Sequence, residues 1–389
     1  MQTAKRMNNL KTDIFTEMGK IVEEVRDKWE QIIDLGIGSP DRSPAEHVIK
    51  CLLDGVANPA NYRYTSIRGL PELREAVANW YQRRFGVELN PETEIISLMG
   101  SQEGLALLPQ VFLDPGDIAL IPDPCYPIYR IATELAGGVV YPLPLTAEND
   151  FLPDFSRVDL QIADRAKLMI LNYPNNPIAC TAPPEFFEEV VNFARKHNIV
   201  VCHDAAYTEL AFDGYRPSSF LEIPGAKEVG IEFHSLSKTY NFAGCRLAFA
   251  VGNPELIEAL ARLRSNTNYG VFTPIQLAGA AALNGPQDVV NENVLSYQRR
   301  RDILVDGLRA LGWKIAKPKA TMFVWAPIPD NYENSTDFAV DLIRRAGVVV
   351  IPGSAFGNLG DRYVRFGIVA PEEQLLEAIE RIKNLHLFS

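Results

Sequence analysis

Residues 229–252 read VGIEFHSLSKTYNFAGCRLAFAVG. Two strand-like apolar runs enclose a polar turn in which Lys238 stands between hydroxyl residues and Arg246 follows. A surface lysine needs no such setting. A lysine that bonds covalently to a carbonyl compound does, because its amine must lose basicity by desolvation or beside another cation.

Upstream, apolar runs alternate with helical stretches. EIISLMG precedes QEGLALLPQVF, GDIALIPDP precedes IYRIATELAG, and AKLMILNYP precedes PPEFFEEVVNFARKH and NIVVCHDAA. These runs lack in/out alternation, as strands buried on both faces do. Strand, helix, strand in series predicts an α/β fold with a mostly parallel sheet and right-handed crossovers. Further upstream, Leu70, Leu73, Val77, Trp80 and Arg84 recur at three- and four-residue spacing behind Pro71, which predicts an amphipathic helix over 71–85. Residues 10–30 are compatible with another helix. After about residue 290 the pattern changes to a long charged helix, SYQRRRDILVDGLRAL, then shorter strands (TMFVWAP, GVVVIPG, YVRFGIV) and a closing helix, PEEQLLEAIERIKNL. That predicts a smaller α+β domain completed by the N-terminal segment. The expected division is 1–44 as arm and part of the small domain, 45–290 as the large domain and 291–389 as the small domain.

The whole chain narrows the function. With 389 residues it is long enough for one large α/β enzyme, and a net charge of −11 disfavours a nucleic-acid surface. The N-terminus has no apolar run after its basic residues, and no stretch reaches the length of a membrane span, so neither a signal peptide nor a membrane protein is expected. Five scattered cysteines without a CxxC pair point to a reducing cytoplasm, and five histidines without ligand spacing argue against a metal.

In open α/β sheets ligands bind beyond the carboxyl ends of the strands. The unusual polar residues fall there: Gly100-Ser101-Gln102 after EIISLM, Asn175-Asn176 after LMILNYP, Asp204 and then Tyr207 after NIVVCHD, and Ser235, Ser237 and Lys238 after IEFHS. Gly100-Ser101 opening a helix suits a phosphate, with Arg246, Ser235 and Ser237 adding charge and donors. The same Gly-Ser pair also reads as an ordinary helix cap. Asp204 needs a partner if buried, either an arginine or a protonated ring nitrogen. Taken together, the lysine, the carboxylate, the phosphate cradle and the Asn–Tyr pair match pyridoxal phosphate.

The ordered motifs YRYTSIRGLPELREAV, GSQEG, PDPCYPIY, NYPNNP, HDAAY, SLSKTYNFAGCR and VRFG make the chain resemble the fold-type I, class I/II pyridoxal-phosphate aminotransferases, in the branch with aspartate, alanine and LL-diaminopimelate aminotransferases. The resemblance implies a seven-stranded sheet in the large domain. It implies transfer of an amino group between an L-amino acid and a 2-oxo acid, 2-oxoglutarate and glutamate foremost, by ping-pong kinetics. Position by position, Lys238 resembles the lysine that bonds the cofactor aldehyde and moves the substrate proton. Asp204 resembles the partner of the ring nitrogen, Asn176 and Tyr207 the donors to the ring oxygen, and Tyr126 the aromatic stacked on the ring. Ser101, Gln102, Ser235, Ser237 and Arg246 resemble the phosphate cradle. Tyr64 resembles the tyrosine that reaches the phosphate of the neighbouring subunit, which implies a homodimer with shared sites. Arg365 resembles the arginine that grips the substrate carboxylate, and Ile37 and Gly38 the stretch that closes over the substrate.

Two departures stand out. Ile178 and Ala179 occupy the turn after Pro177, where many members carry threonine and glycine, and Gln102 stands where relatives often carry lysine. The alternatives are a β-lyase on the same scaffold and a non-catalytic cofactor-binding regulator. The absence of a helix-turn-helix segment disfavours the regulator, and the absence of GxGxxG disfavours a nicotinamide enzyme. Arg42, Arg68 and Arg130 are candidates for reading a side-chain carboxylate.

Overall fold

The computed structural model of the chain describes residues 2–4, 6, 7 and 14–388. A short strand, β1 (Ile33–Asp34), lies outside the large sheet. That sheet is built from β2 (Ile95–Leu98), β3 (Ile118–Asp123), β4 (Val139–Pro144), β5 (Ala166–Asn172), β6 (Val200–Asp204), β7 (Gly230–Ser235) and β8 (Ala248–Gly252). The seven strands lie in the order β2-β8-β7-β6-β5-β3-β4. β8 runs antiparallel to both neighbours, and the other pairings are parallel. Every residue of β2, β3, β7 and β8 is buried, as a sheet covered on both faces requires. The expected α/β class with a mostly parallel sheet of seven strands is therefore correct.

Helices cover both faces. On one, Pro71–Phe85, Pro184–His197 and Thr273–Asn284 bury Leu73, Val77, Phe187, Val190 and Ala278 against Leu171, Val201 and Leu247. On the other, Ser101–Phe112 and Pro254–Ser265 bury Leu105, Leu108, Ile257 and Leu260 against Leu98, Ile121, Ile170 and Phe233. The Pro71–Phe85 helix has the predicted bounds. Proline stands in its first turn and Gly86 closes it in the left-handed region (φ 69°), where a side chain would be strained.

Several elements went unanticipated. β4 is an edge strand, half exposed and carrying Pro142 and Pro144, so it shows neither a buried run nor clean alternation. The helices Glu46–Ala57, Pro254–Ser265, Thr273–Asn284 and Ser335–Ala346 were among the others. The N-terminal helix spans Ile14–Val25, and residues 10–13 of the expected stretch lie outside the described residues.

The long helix Asp288–Ala310 leads into a second body. There β9 (Phe323–Pro327), β11 (Ile351–Pro352) and β12 (Tyr363–Gly367) form an antiparallel sheet ordered β11-β12-β9, while β10 (Val348–Val349) pairs in parallel with β1. Met18, Ile33 and Leu35 from the N-terminal segment share a core with Leu304, Val324, Phe338, Val348 and Phe366. Among the described residues, no helix is long and apolar enough to cross a membrane and no acid, His and Cys cluster has the makings of a metal site.

Candidate active site

β2, β5, β6 and β7 run the same way, so their carboxyl ends share one rim. A cavity of about 270 Å³ opens there. It is lined by Ser101 and Gln102 after β2, Asn172 and Asn176 at and after β5, Asp204 and Tyr207 at and after β6, and Ser235, Ser237 and Lys238 around the end of β7. Gly38, Tyr126, Tyr129, Arg246, Phe323 and Arg365 complete the wall. Of the expected site residues, Tyr64 and Ile37 lie outside this lining, and both are exposed, Tyr64 at 88%.

Lys238 extends from the short helix Leu236–Thr239, whose cap is the Ser235 hydroxyl accepting from Ser237 N. Its Nζ donates to the Gly38 carbonyl at 2.5 Å. Burial, then Arg365 and then Arg246, bring the amine down to about 8 from its ordinary 10.5, against an opposing pull from Asp204. The amine is therefore partly neutral near physiological pH, as a nucleophile or base must be.

Asp204 is buried, and among the described residues it has no cation at ion-pair distance. Tyr129 donates to its Oδ2 at 2.7 Å and Ala206 N to its Oδ1 at 3.3 Å. Burial raises its carboxyl above the usual range, and the Tyr129 hydrogen bond pulls the other way. A buried carboxylate with so little compensation calls for a positively charged N–H. Behind the rim, Glu232 on β7 gathers Tyr81 Oη (2.5 Å), Ser219 Oγ (2.6 Å), Phe220 N (2.7 Å), His203 Nδ1 (2.7 Å) and His234 Nε2 (3.1 Å). Burial opposes its ionisation, but the contacts with His203 and His234 outweigh burial and hold it well below the carboxylate range. This network fixes β6 and β7 against each other just behind Asp204 and Ser235.

Gly100 has φ 81° and ψ 153° ahead of the Ser101–Phe112 helix, and a Cβ there would strike the Arg246 guanidinium. Arg246 makes a hydrogen bond to the Ala243 carbonyl at 3.1 Å and, among the described residues, no ion pair. The buried Ser237 hydroxyl has no partner among the described residues. A helix N-terminus, a guanidinium and serine hydroxyls form a donor set suited to a phosphate. Gln102 accepts from Tyr126 Oη at 3.1 Å.

Arg365, 4% exposed on β12, donates to Asn176 Oδ1 (2.8 Å) and to the Gly36 carbonyl (2.9 Å). Its guanidinium lies over the rings of Phe323 and Phe356, and its Nε lacks a partner among the described residues. Among the described residues no carboxylate pairs with it, and burial brings it down to about 10. An unpaired buried guanidinium beside a cavity is a receptor for a carboxylate. By contrast, Arg130 pairs with Asp123 (2.8 Å), Arg68 with Glu258, and Arg42 donates to Asn293 (3.3 Å); none lines the cavity.

Tyr129 was not foreseen. In IYRIATEL it has the spacing of a core residue, and nothing local says that its hydroxyl meets a carboxylate. The set as a whole fits pyridoxal phosphate: an amine for the aldehyde, a buried carboxylate that lacks a cation among the described residues for the ring nitrogen, and a cradle with an orphaned hydroxyl for the phosphate.

The model of the family described as aminotransferase class I and II matches residues 30–382. An LL-diaminopimelate aminotransferase of Desulforudis audaxviator is 50% identical over 381 residues, covering 98% of this chain and 97% of its own. One from Dehalococcoides mccartyi is 49% identical over 384 residues, covering 99% of each. Among solved structures, substrate-bound BacF from Bacillus subtilis superposes with a TM-score of 0.95 at 40% identity, covering 100% of this chain and 98% of that one. An aspartate aminotransferase mutant from Thermus thermophilus gives 0.92 at 30% identity, covering 99% and 100%.

Proposed function

This chain belongs to the class I and II aminotransferases, and from that premise we propose that it takes the amino group of LL-diaminopimelate, with 2-oxoglutarate and glutamate as the second pair. It is an aminotransferase that uses pyridoxal phosphate and acts on an amino acid and a 2-oxo acid. The observation that carries the reading is the buried Arg365 without a carboxylate, in the same cavity as a lysine held near 8. The substrate itself follows the curated relatives, which bear that name at 44–50% identity over nearly the full chain.

When bound, the cofactor supplies an aldehyde for the amino group and a ring that draws electrons from the substrate's Cα. Lys238 would hold the aldehyde, and its amine is the group placed to move the proton at the substrate's Cα. Asp204 would keep the ring nitrogen charged. Asn176 and Tyr207 would donate to the ring oxygen. The Arg365 contact engages Asn176 Oδ1, so donation from this side chain comes from its amide nitrogen. Tyr126 would cover the ring face. Ser101, Gln102, Ser235, Ser237 and Arg246 would hold the phosphate. Arg365 receives the α-carboxylate through two parallel N–H groups, and Gly38, with Ile37 beside it, closes the substrate side. Tyr64 completes the cradle of a second copy, so the working enzyme is a homodimer with shared sites. A cytoplasmic setting goes with this reading, since all five cysteines are free.

The test is a donor screen with purified, cofactor-loaded protein and 2-oxoglutarate, following glutamate. LL-diaminopimelate gives the highest kcat/KM. Turnover of aspartate or phenylalanine with none of LL-diaminopimelate would refute the substrate assignment and leave the transamination reading standing.

A further inference from the structure

We propose that Tyr129 is a positioning residue for Asp204: its phenolic O–H fixes the carboxylate in place and favours its ionised form, so that the cofactor's ring nitrogen meets a constant negative charge. The proposal rests on the reading that Asp204 faces that nitrogen. Tyr129 lies in the first turn of the helix Ile128–Leu135, and its hydroxyl donates to Asp204 Oδ2 at 2.7 Å. The other donor to this carboxylate among the described residues, Ala206 N, stands at 3.3 Å from Oδ1, near the outer limit of a hydrogen bond. Tyr129 is thus the strong contact, and Oδ1 keeps capacity for another donor.

The surroundings sharpen the role. Asp204 is faced by His203 and Cys202 on its own strand, by His234 on β7, by Tyr207 beyond β6 and by Lys238 in the turn after β7. The His203 and His234 rings are engaged with Glu232. Burial works against ionised Asp204, and the Tyr129 hydrogen bond is the largest influence opposing it. Burial, followed by the Asp204 charge, also raises the Tyr129 phenol well above its ordinary range, so the proton stays on the tyrosine and the contact remains a donor to a carboxylate. The Tyr129 ring meets Tyr126 edge-on at 5.9 Å and packs among Leu105, Ile121 and Ile170. Phenylalanine preserves those contacts and removes only the hydroxyl.

The experiment compares Tyr129→Phe, Asp204→Asn and the double variant. Three quantities are read: the dissociation constant of pyridoxal phosphate from the apoprotein, the pH midpoint of the bound cofactor's absorbance, and kcat and KM separately. Tyr129→Phe is expected to weaken cofactor binding and lower kcat by about tenfold to a hundredfold, the range of one hydrogen bond to a charged group. The midpoint shifts, and the melting temperature and the KM for the amino acid stay near wild type. In the Asp204→Asn background the same substitution has no further effect. Wild-type affinity, midpoint and kcat in Tyr129→Phe overturn the proposal, as do full additive losses in the double variant, which would mark a role in packing. Strong loss in Asp204→Asn with none in Tyr129→Phe overturns this proposal alone. Wild-type behaviour of Asp204→Asn overturns the reading of Asp204 and this one with it.

Discussion

Lys238 shows how a functional residue strains the fold that carries it. Its amine is brought to about 8 from 10.5, and each tenfold change in proton affinity is worth about 1.4 kcal/mol, so the charged lysine costs about 1–3 kcal/mol once its Gly38 contact is set against burial. The folded value lies below the unfolded one. The unfolded chain therefore holds the proton more tightly between pH 8 and 10.5, and stability rises with pH across that window. Lys238→Met abolishes turnover but is expected to raise the urea midpoint of the apoprotein at pH 7. The gain is full below pH 8 and fades as the pH approaches 10.5. A variant less stable than wild type at pH 7 would contradict this account. The lysine was legible in the sequence because strand-like runs flank it on both sides. Its contact with the Gly38 carbonyl was not, because that depends on how the N-terminal segment folds back across the cavity.

Among the elements, the turn from β2 into the helix Ser101–Phe112 ties backbone conformation directly to ligand binding. Gly100 occupies a region that only glycine enters freely, and the space its side chain would need is filled by Arg246. Gly100→Ala therefore costs about 1–3 kcal/mol in backbone strain and pushes the guanidinium out of the cradle. Titration of the apoprotein with pyridoxal phosphate should show affinity at least about tenfold weaker, the effect of losing one charge-assisted contact. Unchanged affinity would show that Arg246 does not depend on this turn. The parallel strands could be read from sequence because burial on both faces leaves continuous apolar runs, and the rim residues followed from the rule for carboxyl ends. β4 escaped because an edge strand with prolines has no such run. Tyr129 escaped because a tyrosine on a helix looks the same whether its hydroxyl meets water or a carboxylate. The rotation of Ile128–Leu135 over the sheet decides that, and no local pattern encodes it. The same holds for Arg68 and Arg130, whose partners Glu258 and Asp123 are fixed by packing.

At the scale of the whole molecule, the site draws on separate bodies. Arg365 comes from the antiparallel sheet, and Lys238 and Asp204 from the parallel one. The N-terminal segment bridges them: β1 pairs with β10 and Asp41 meets Arg300 of the long helix at 3.0 and 2.7 Å, while the Gly38 and Ser43 carbonyls accept from Lys238 at 2.5 Å and from Asn241 at 3.1 Å. The division at 44/45 and 290/291 remains our proposal, resting on the separate cores on either side of that helix. The proposed sharing of sites between two copies is testable in the same frame. Tyr64 lies outside the cavity of its own chain, 88% exposed, against the ring of Tyr269 at 5.1 Å, with Tyr62 and Phe272 paired beside them at 5.4 Å. Leu53 and Val56 on a neighbouring helix are exposed as well, and apolar groups gathered in this way mark an interaction surface. If Tyr64 serves the second copy, a Lys238→Ala chain and a Tyr64→Ala chain have complementary defects. Each is inactive or weak as a homodimer. In the mixed dimer, one site combines Lys238 from one chain with Tyr64 from the other and is intact. Random reassociation of equal amounts should recover about a quarter of wild-type activity, since half of the dimers carry one good site of two. Recovery no greater than the sum of the separate variants would place Tyr64 in the site of its own chain, or in none.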